Sequence, residues 1–163
     1  MILVAYASKH GGTEGIATAI AARLQERGLD SVARPVGGID ELPEVRAVVL
    51  GSGVYAGSWL VDATAFAERH TDALTGVPVW LFSSGPLGEQ VVDDEEQPRQ
   101  LADLRRRLSP RGHETFFGAL DRSKLSFTER MIVKAVKAPD GDFRDWDAIA
   151  AWADAIADEI EGA

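Results

Sequence analysis

The sequence predicts an α/β fold: a doubly wound parallel sheet with helices on both faces. Three observations predict it. Short apolar runs rich in β-branched residues alternate with amphipathic helical stretches along all 163 residues, the pattern of repeated right-handed β-α-β crossovers. Three of those runs lead directly into small-residue loops containing glycine and serine, at 7–13, 51–58 and 83–88. No repeat, low-complexity linker or composition shift marks a boundary, and the length suits one core, so residues 1–163 read as a single domain. In such a sheet the three loops meet at one edge, outside the carboxyl ends of the strands, where ligands bind.

Residues 1–6 (MILVAY) read as a buried strand. A polar glycine turn then leads into a helix starting near Thr13, with Ile16, Ala17, Ile20, Ala21 and Leu24 on one face and Gly28 where a C-cap belongs. Residues 31–36 (SVARPV) make a weaker strand that Pro35 ends or places at an edge. Residues 46–50 (RAVVL) are a strong buried strand running into the second loop. A helix is expected over about 59–74, with Leu60, Ala63, Ala67 and Leu74 inward. Residues 77–82 (VPVWLF) form the third strong strand, before the third loop. The acidic run 93–96 reads as solvated. Pro98 suits the first turn of a helix lined by Leu101, Leu104 and Leu108. Residues 112–120 (GHETFFGAL) read as the last strand, and 126–137 as an added basic amphipathic helix. Asp145 is a good N-cap for a final helix burying Trp146, Ile149, Ala153, Ile156 and Ile160.

Composition narrows the chemistry. The chain has no cysteine, which excludes disulfides, thiolate nucleophiles and cysteine-ligated metal. A net charge of −9 disfavours general nucleic-acid binding. The charge is uneven: residues 103–137 carry 9 basic and 4 acidic side chains, within an otherwise acidic chain. That reads either as one basic face in water or as a docking surface for a membrane or an acidic partner. No apolar run is long enough to span a bilayer, and the opening residues carry no basic leader, so a cytoplasmic protein is expected. Asp140, Asp142, Asp145 and Asp147 lack the spacing and terminal Glu of a calcium loop. His10, His70 and His113 are too scattered to suggest a metal site, and no Ser/His/Asp triad is visible. We therefore expect no metal and assign no catalytic side chain.

The first loop carries the clearest chemistry. A strand, a polar glycine turn and a helix start bring unpaired backbone N–H groups and the positive end of the helix dipole to one point. A phosphate suits that point, with the Ser8 and Thr13 hydroxyls as further donors and Gly11 and Gly12 allowing close approach. The loop is neither a Walker loop nor a Gly-x-Gly-x-x-Gly fingerprint, and a tight corner is the plain alternative.

Ser8-x-x-Gly11-x-Thr13 after a first strand resembles the phosphate loop of flavodoxins, although His10 stands where those proteins usually have threonine. The resemblance covers nearly the whole chain and implies a flavodoxin-like sheet of five strands in order 2-1-3-4-5 with one bound FMN. It implies that Ser8, Lys9, His10, Gly11, Gly12 and Thr13 hold the phosphate. It also implies that Ser52, Gly53, Val54, Tyr55, Ala56 and Gly57, with Ser83, Ser84, Gly85 and Pro86, hold the ring. Tyr55 is the candidate for stacking on the flavin, with Trp59 as runner-up or core residue. Gly57 is expected to let the peptide beside the flavin turn over, and Ser83, Ser84 and Gly85 to offer backbone donors. A deazaflavin remains an alternative to FMN, since such loops fix phosphate better than they identify a ring.

Among flavodoxin-like proteins, the chain is most similar to the menaquinone-dependent protoporphyrinogen oxidases. Phe117-Gly118-Ala119-Leu120 and the basic segment 127–134 carry that similarity, although the acidic stretch before Pro98 departs from it. It implies an FMN-dependent oxidoreductase of heme biosynthesis that takes electrons from a porphyrinogen and passes them to a quinone. The segment 126–137 would then make peripheral contact with the inner face of the membrane, or simply pack on the core. The alternatives are a non-catalytic electron carrier docking its acidic surface to a reductase, and a flavin-free interaction module.

Overall fold

Alternate side chains of each strand enter two separate cores, and that alternation sets the layers. The computed structural model describes residues 1–55, 57–85, 98, 100–120, 141–142 and 144–163. The chain begins with β1 (Ile2–Ala7), α1 (Gly12–Glu26), β2 (Ser31–Pro35) and a 3-10 turn (Val36–Gly38). It continues through β3 (Ala47–Tyr55), β4 (Ser58–Trp59), α2 (Val61–Arg69), α3 (Thr71–Thr75) and β5 (Val79–Ser84). Then come α4 (Gln100–Leu108), β6 (Gly112–Phe116), β7 (Ala119–Leu120), β8 (Gly141–Asp142) and α5 (Trp146–Glu161). The parallel strands lie in the order β2-β1-β3-β5-β6, and β4 folds back antiparallel on β3. Counting parallel strands alone, this is the expected order 2-1-3-4-5.

One face of the sheet presents Ile2, Val4, Val49, Trp80 and Phe82 to α1 and α5, which answer with Ile16, Ile20, Leu24, Ile149, Ile156 and Ile160. The other presents Leu3, Ala5, Leu50 and Leu81 to Phe66, Leu74, Leu101, Leu104 and Leu108 of α2 to α4. The sheet is therefore buried on both sides, as an all-parallel sheet requires. An ion-pair network joins α1 to α5. Arg23 forks onto both carboxylate oxygens of Asp154 at 2.9 Å, and Arg27 reaches Asp154, Asp158 and Glu161. The Arg23 hydrogen bonds hold the Asp154 carboxyl below its usual range, so this contribution is present at neutral pH and fades as acid protonates it.

Several elements differ from the sequence expectation. β3 runs five residues past Leu50, because β1 and β5 continue beside it and offer ladder partners to Ser52 and Gly53. Local glycine signals lose to that tertiary pairing. Gly51 is thus a strand residue, and a Cβ there would overlap the Phe82 ring. The helix expected over 59–74 starts later, since Trp59 pairs with Val54 in β4, and it divides at His70 into α2 and α3. The strand expected over 112–120 stops at Phe116, and Ala119–Leu120 instead pairs antiparallel with Gly141–Asp142. Asp145 caps α5 as expected, its Oδ1 accepting from the Ala148 N–H at 3.0 Å. Trp146 is not buried but 46% exposed, and its ring lies under the Arg144 guanidinium. The acidic run 93–96 and the helix expected over 126–137 lie outside the described residues. Among the described residues, no helix is long and apolar enough to cross a membrane.

Candidate functional site

Parallel pairing aligns the ends of four strands. Ala7 of β1 stands beside Ser52 of β3, Ser52 beside Ser83 of β5, and Ser83 beside Thr115 of β6. The three loop regions singled out in the sequence therefore start side by side at one sheet edge. The packing is close. A Cβ on Gly53 would stand 3.1 Å from Thr13 Oγ1, and one on Gly85 would stand 3.8 Å from Val54.

The first region is a turn closed on itself. Ser8 Oγ accepts from the Gly11 N–H at 3.0 Å, and Gly11 takes the left-handed conformation (φ 87°) that favours glycine. Gly11 is the N-cap of α1, and as a glycine it has no side chain of its own to cap this helix start. The first N–H groups of Gly12, Thr13 and Glu14 have no partner within the helix, so the turn offers an anion site at the dipole's positive end. Thr13 is buried, so its hydroxyl lies between the first region and β3 rather than at the rim. Lys9 Nζ lies 4.1 Å from the centroid of the Tyr55 ring, a cation–π contact that ties the turn to the β3–β4 hairpin.

In the second region Ser52 is fully buried. Its hydroxyl donates to the Gly53 carbonyl at 2.8 Å and accepts from the Leu60 N–H at 3.0 Å. Val54 and Tyr55 close the hairpin against Trp59 and Ser58, and Gly57 supplies its turn. Tyr55 stays partly exposed at the tip, whereas Trp59 is a core residue. Of the two candidate stacking aromatics, only Tyr55 therefore keeps surface accessible to solvent. In the third region Ser83 and Ser84 complete β5, and the Gly85 N–H donates to the Phe116 carbonyl at 2.9 Å. Ala56 and Pro86 lie outside the described residues.

Two features of this edge were not legible in the sequence. The first is a buried polar chain. Trp59 Nε1 donates to Ser83 Oγ at 2.8 Å, and Ser83 Oγ lies 3.1 Å from His113 Nε2. Burial, with the Arg105 charge adding to it, holds the His113 imidazole down to about 4, so the ring is neutral at pH 7. The Ser83 hydroxyl, accepting from Trp59, has both its proton and a second lone pair to offer the neutral imidazole, so the direction of the bond to His113 follows the ring tautomer. Only the spatial pairing of β5 with β6 brings His113 here. The second is Arg144, which reaches back to the Gly12 carbonyl at 3.4 Å.

His113 makes stability fall with acid. Below about pH 6.5 the unfolded chain binds a proton at this ring that the folded chain refuses down to about 4. Stability is therefore lost as pH falls through that window, by about 1–2 kcal/mol once solvent screening at a half-buried site is allowed for. Urea unfolding at a series of pH values should show a shallower slope between 6.5 and 4 for His113→Gln than for the wild type. Equal slopes would refute this source of the acid sensitivity.

A cleft of about 430 Å³ opens on the β2 side of the first turn, lined by Tyr6, Ser8, Lys9, Gly11, Glu14, Val36, Leu60 and Asp62 among others. The Tyr6 hydroxyl donates to Glu14 at 3.2 Å, and burial, then the Glu14 charge, pushes its phenol up. The cleft shares Ser8, Lys9 and Gly11 with the anion site but does not reach Ser52 or Ser83.

Comparison with known proteins is consistent with this geometry. A family model described as Flavodoxin domain matches residues 3–147. Among solved structures, the chain is similar to a flavodoxin from the domain Archaea, with 17% identity, a TM-score of 0.67 and 98% of each chain covered. It is similar to flavodoxin 2 from Bacillus cereus, with 22% identity, a TM-score of 0.59, and 97% and 98% covered. It also matches part of the rubredoxin oxygen:oxidoreductase from Desulfovibrio gigas, with 13% identity and a TM-score of 0.67, covering 99% of this chain and 36% of that one. None of the curated proteins matches the chain.

Proposed function

The chain belongs to the flavodoxin domain family, and from that premise we propose that it is an FMN-dependent oxidoreductase of the protoporphyrinogen oxidase type, delivering electrons to a quinone. FMN is the cofactor the family implies. The observation that carries its placement is the alignment of the three strand ends beside an α1 start whose N-cap is the left-handed Gly11.

The residues present fit the group. The turn Ser8, Lys9, His10, Gly11, Gly12 and Thr13 would hold the phosphate through backbone N–H groups, hydroxyls and the Lys9 charge. The segments 52–57 and 83–86 would flank the ring, with Tyr55 as the stacking surface. When bound, FMN supplies the one- and two-electron chemistry, and the protein supplies binding, orientation and electrostatics. The Lys9 contact with Tyr55 would tie the turn proposed for the phosphate to the hairpin proposed for the ring.

The oxidase reading is supported by the added sequence between Phe116 and α5, on whose near side Ala119 of β7 lies against Gly12 at the α1 start. Its basic residues 126–137 are proposed to make peripheral contact with an anionic membrane that holds the quinone. A second reading, a non-catalytic carrier docking to a reductase, is favoured by the nearly full-length likeness to flavodoxins.

The visible spectrum of the purified protein, before and after FMN is added, tests the cofactor. Flavin bands that co-purify or shift on addition are expected, and a protein that ignores FMN would sink both redox readings. Turnover of protoporphyrinogen with a soluble quinone is then expected from the protein alone. Cycling only with an added reductase would replace the oxidase by the carrier.

A further inference from the structure

We propose that Arg144, locked to Asp142, is a positioning residue for the phosphate-binding turn at the start of α1. The proposal rests on the FMN reading above, and it concerns residues about 130 positions away from that turn in the chain.

The guanidinium is used on every side. Asp142 Oδ1 accepts from the Arg144 backbone N–H at 3.0 Å and from Nε at 2.9 Å, and Oδ2 accepts from Nη2 at 2.6 Å. The flat face lies 4.7 Å from the Trp146 ring centroid. The remaining corner, Nη1, donates to the Gly12 carbonyl at 3.4 Å. The fork is spent on a carboxylate and the face on an indole, which makes Arg144 a brace rather than a phosphate ligand. Its hydrogen bonds hold the Asp142 carboxyl down to about 2, so the pair stays ionised well below neutral pH.

The first turn of α1 is shaped to receive this brace. A Cβ on Gly15 would overlap Arg144 Nη1 and stand 3.5 Å from its Cζ. A Cβ on Gly12 would stand 3.6 Å from the backbone of Ala119 in β7. The turn is therefore held between the paired β7 and β8 strands, which Gly12 meets in ordinary van der Waals contact, and the guanidinium, which a side chain on Gly15 would have to displace. N–H groups bind an anion well only when they are aimed before it arrives. The brace fixes that aim.

The test compares FMN with riboflavin, which has the same ring and no phosphate. Arg144→Ala is expected to weaken FMN by about tenfold, the loss of roughly one charge-assisted hydrogen bond, and riboflavin by less than about twofold. Arg144→Lys, which keeps the charge and loses the fork, should behave like alanine. Gly15→Ala, which ordinarily favours a helix, should show the same phosphate-selective loss by displacing the guanidinium. If Arg144→Ala fails to fold, Arg144→Lys and Gly15→Ala carry the comparison. Amide hydrogen exchange at Gly12, Thr13 and Glu14 without ligand gives a second readout, expected to quicken in each variant. An unchanged FMN affinity, or equal losses for FMN and riboflavin, would overturn the proposal. If the wild type bound neither flavin, the FMN reading would fall, and exchange at those three amides would still decide the brace: quickening keeps it and no change removes it.

Discussion

Replacing Gly51 with alanine is expected to destabilise the protein by about 3 kcal/mol, at the upper end of the usual cost of overpacking a core. An added Cβ would overlap Cζ, Cε1 and Cε2 of Phe82 on the neighbouring strand. The ring has nowhere to move. It is fully buried, 6.2 Å from the Phe116 ring and 6.1 Å from Trp152, in tilted and edge-on contacts. Phe116 and Trp152 touch each other as well, so a displaced Phe82 disturbs all three. Alanine recovers only about 0.5–1 kcal/mol from its lower backbone entropy. Urea unfolding of the single variants and of Gly51→Ala with Phe82→Leu tests this. The second change should cost less in the alanine background than in the wild type, because it relieves the overlap. A Gly51→Ala protein as stable as the wild type would show that the ring does not need that space.

Ser83→Ala is expected to cost about 2–3 kcal/mol, although it removes one oxygen and leaves little cavity. The loss comes from its neighbours. Trp59 Nε1 and His113 Nε2 both meet at this hydroxyl, and alanine leaves the buried indole N–H and the half-buried imidazole nitrogen without this partner. Trp59→Phe removes the donor along with its bond, and Ser83 keeps its bond to His113, so about 1 kcal/mol is expected. The two changes share one partner and should couple. Once Trp59 is phenylalanine, Ser83→Ala should cost measurably less than in the wild type. Strict additivity in a double-mutant cycle would mean that the chain of three is not a unit. The consequence reaches the site, because Trp59 anchors the β3–β4 hairpin that presents Tyr55.

Much of the architecture was legible because its signals are local. The helix face of Ile16, Ala17, Ile20, Ala21 and Leu24 is buried throughout, and so is that of Leu101, Leu104 and Leu108. Each reflects the 3.6-residue period, which needs no knowledge of what the helix packs against. The N-cap at Asp145 is likewise set by short-range chemistry. The glycine-rich stretch after Leu50 misled for the opposite reason. Glycine reports what the backbone is free to do, and here the ladders of β1 and β5 used that freedom to continue a strand.

Local signals set the alternation of strands and helices, the inward faces, the three strand-end regions and the glycine turn at the start of the first helix. These follow from periodicity and turn chemistry, both set within a few residues. Only the tertiary structure decided that Gly51 makes room for a phenylalanine and that Ser83 faces a tryptophan and a histidine rather than solvent. It alone decided that Trp146 lies outside the core beneath Arg144, and that Arg144 braces a turn at the other end of the chain. Each of those depends on which strands and helices become neighbours, and no local pattern records the far partner of a contact.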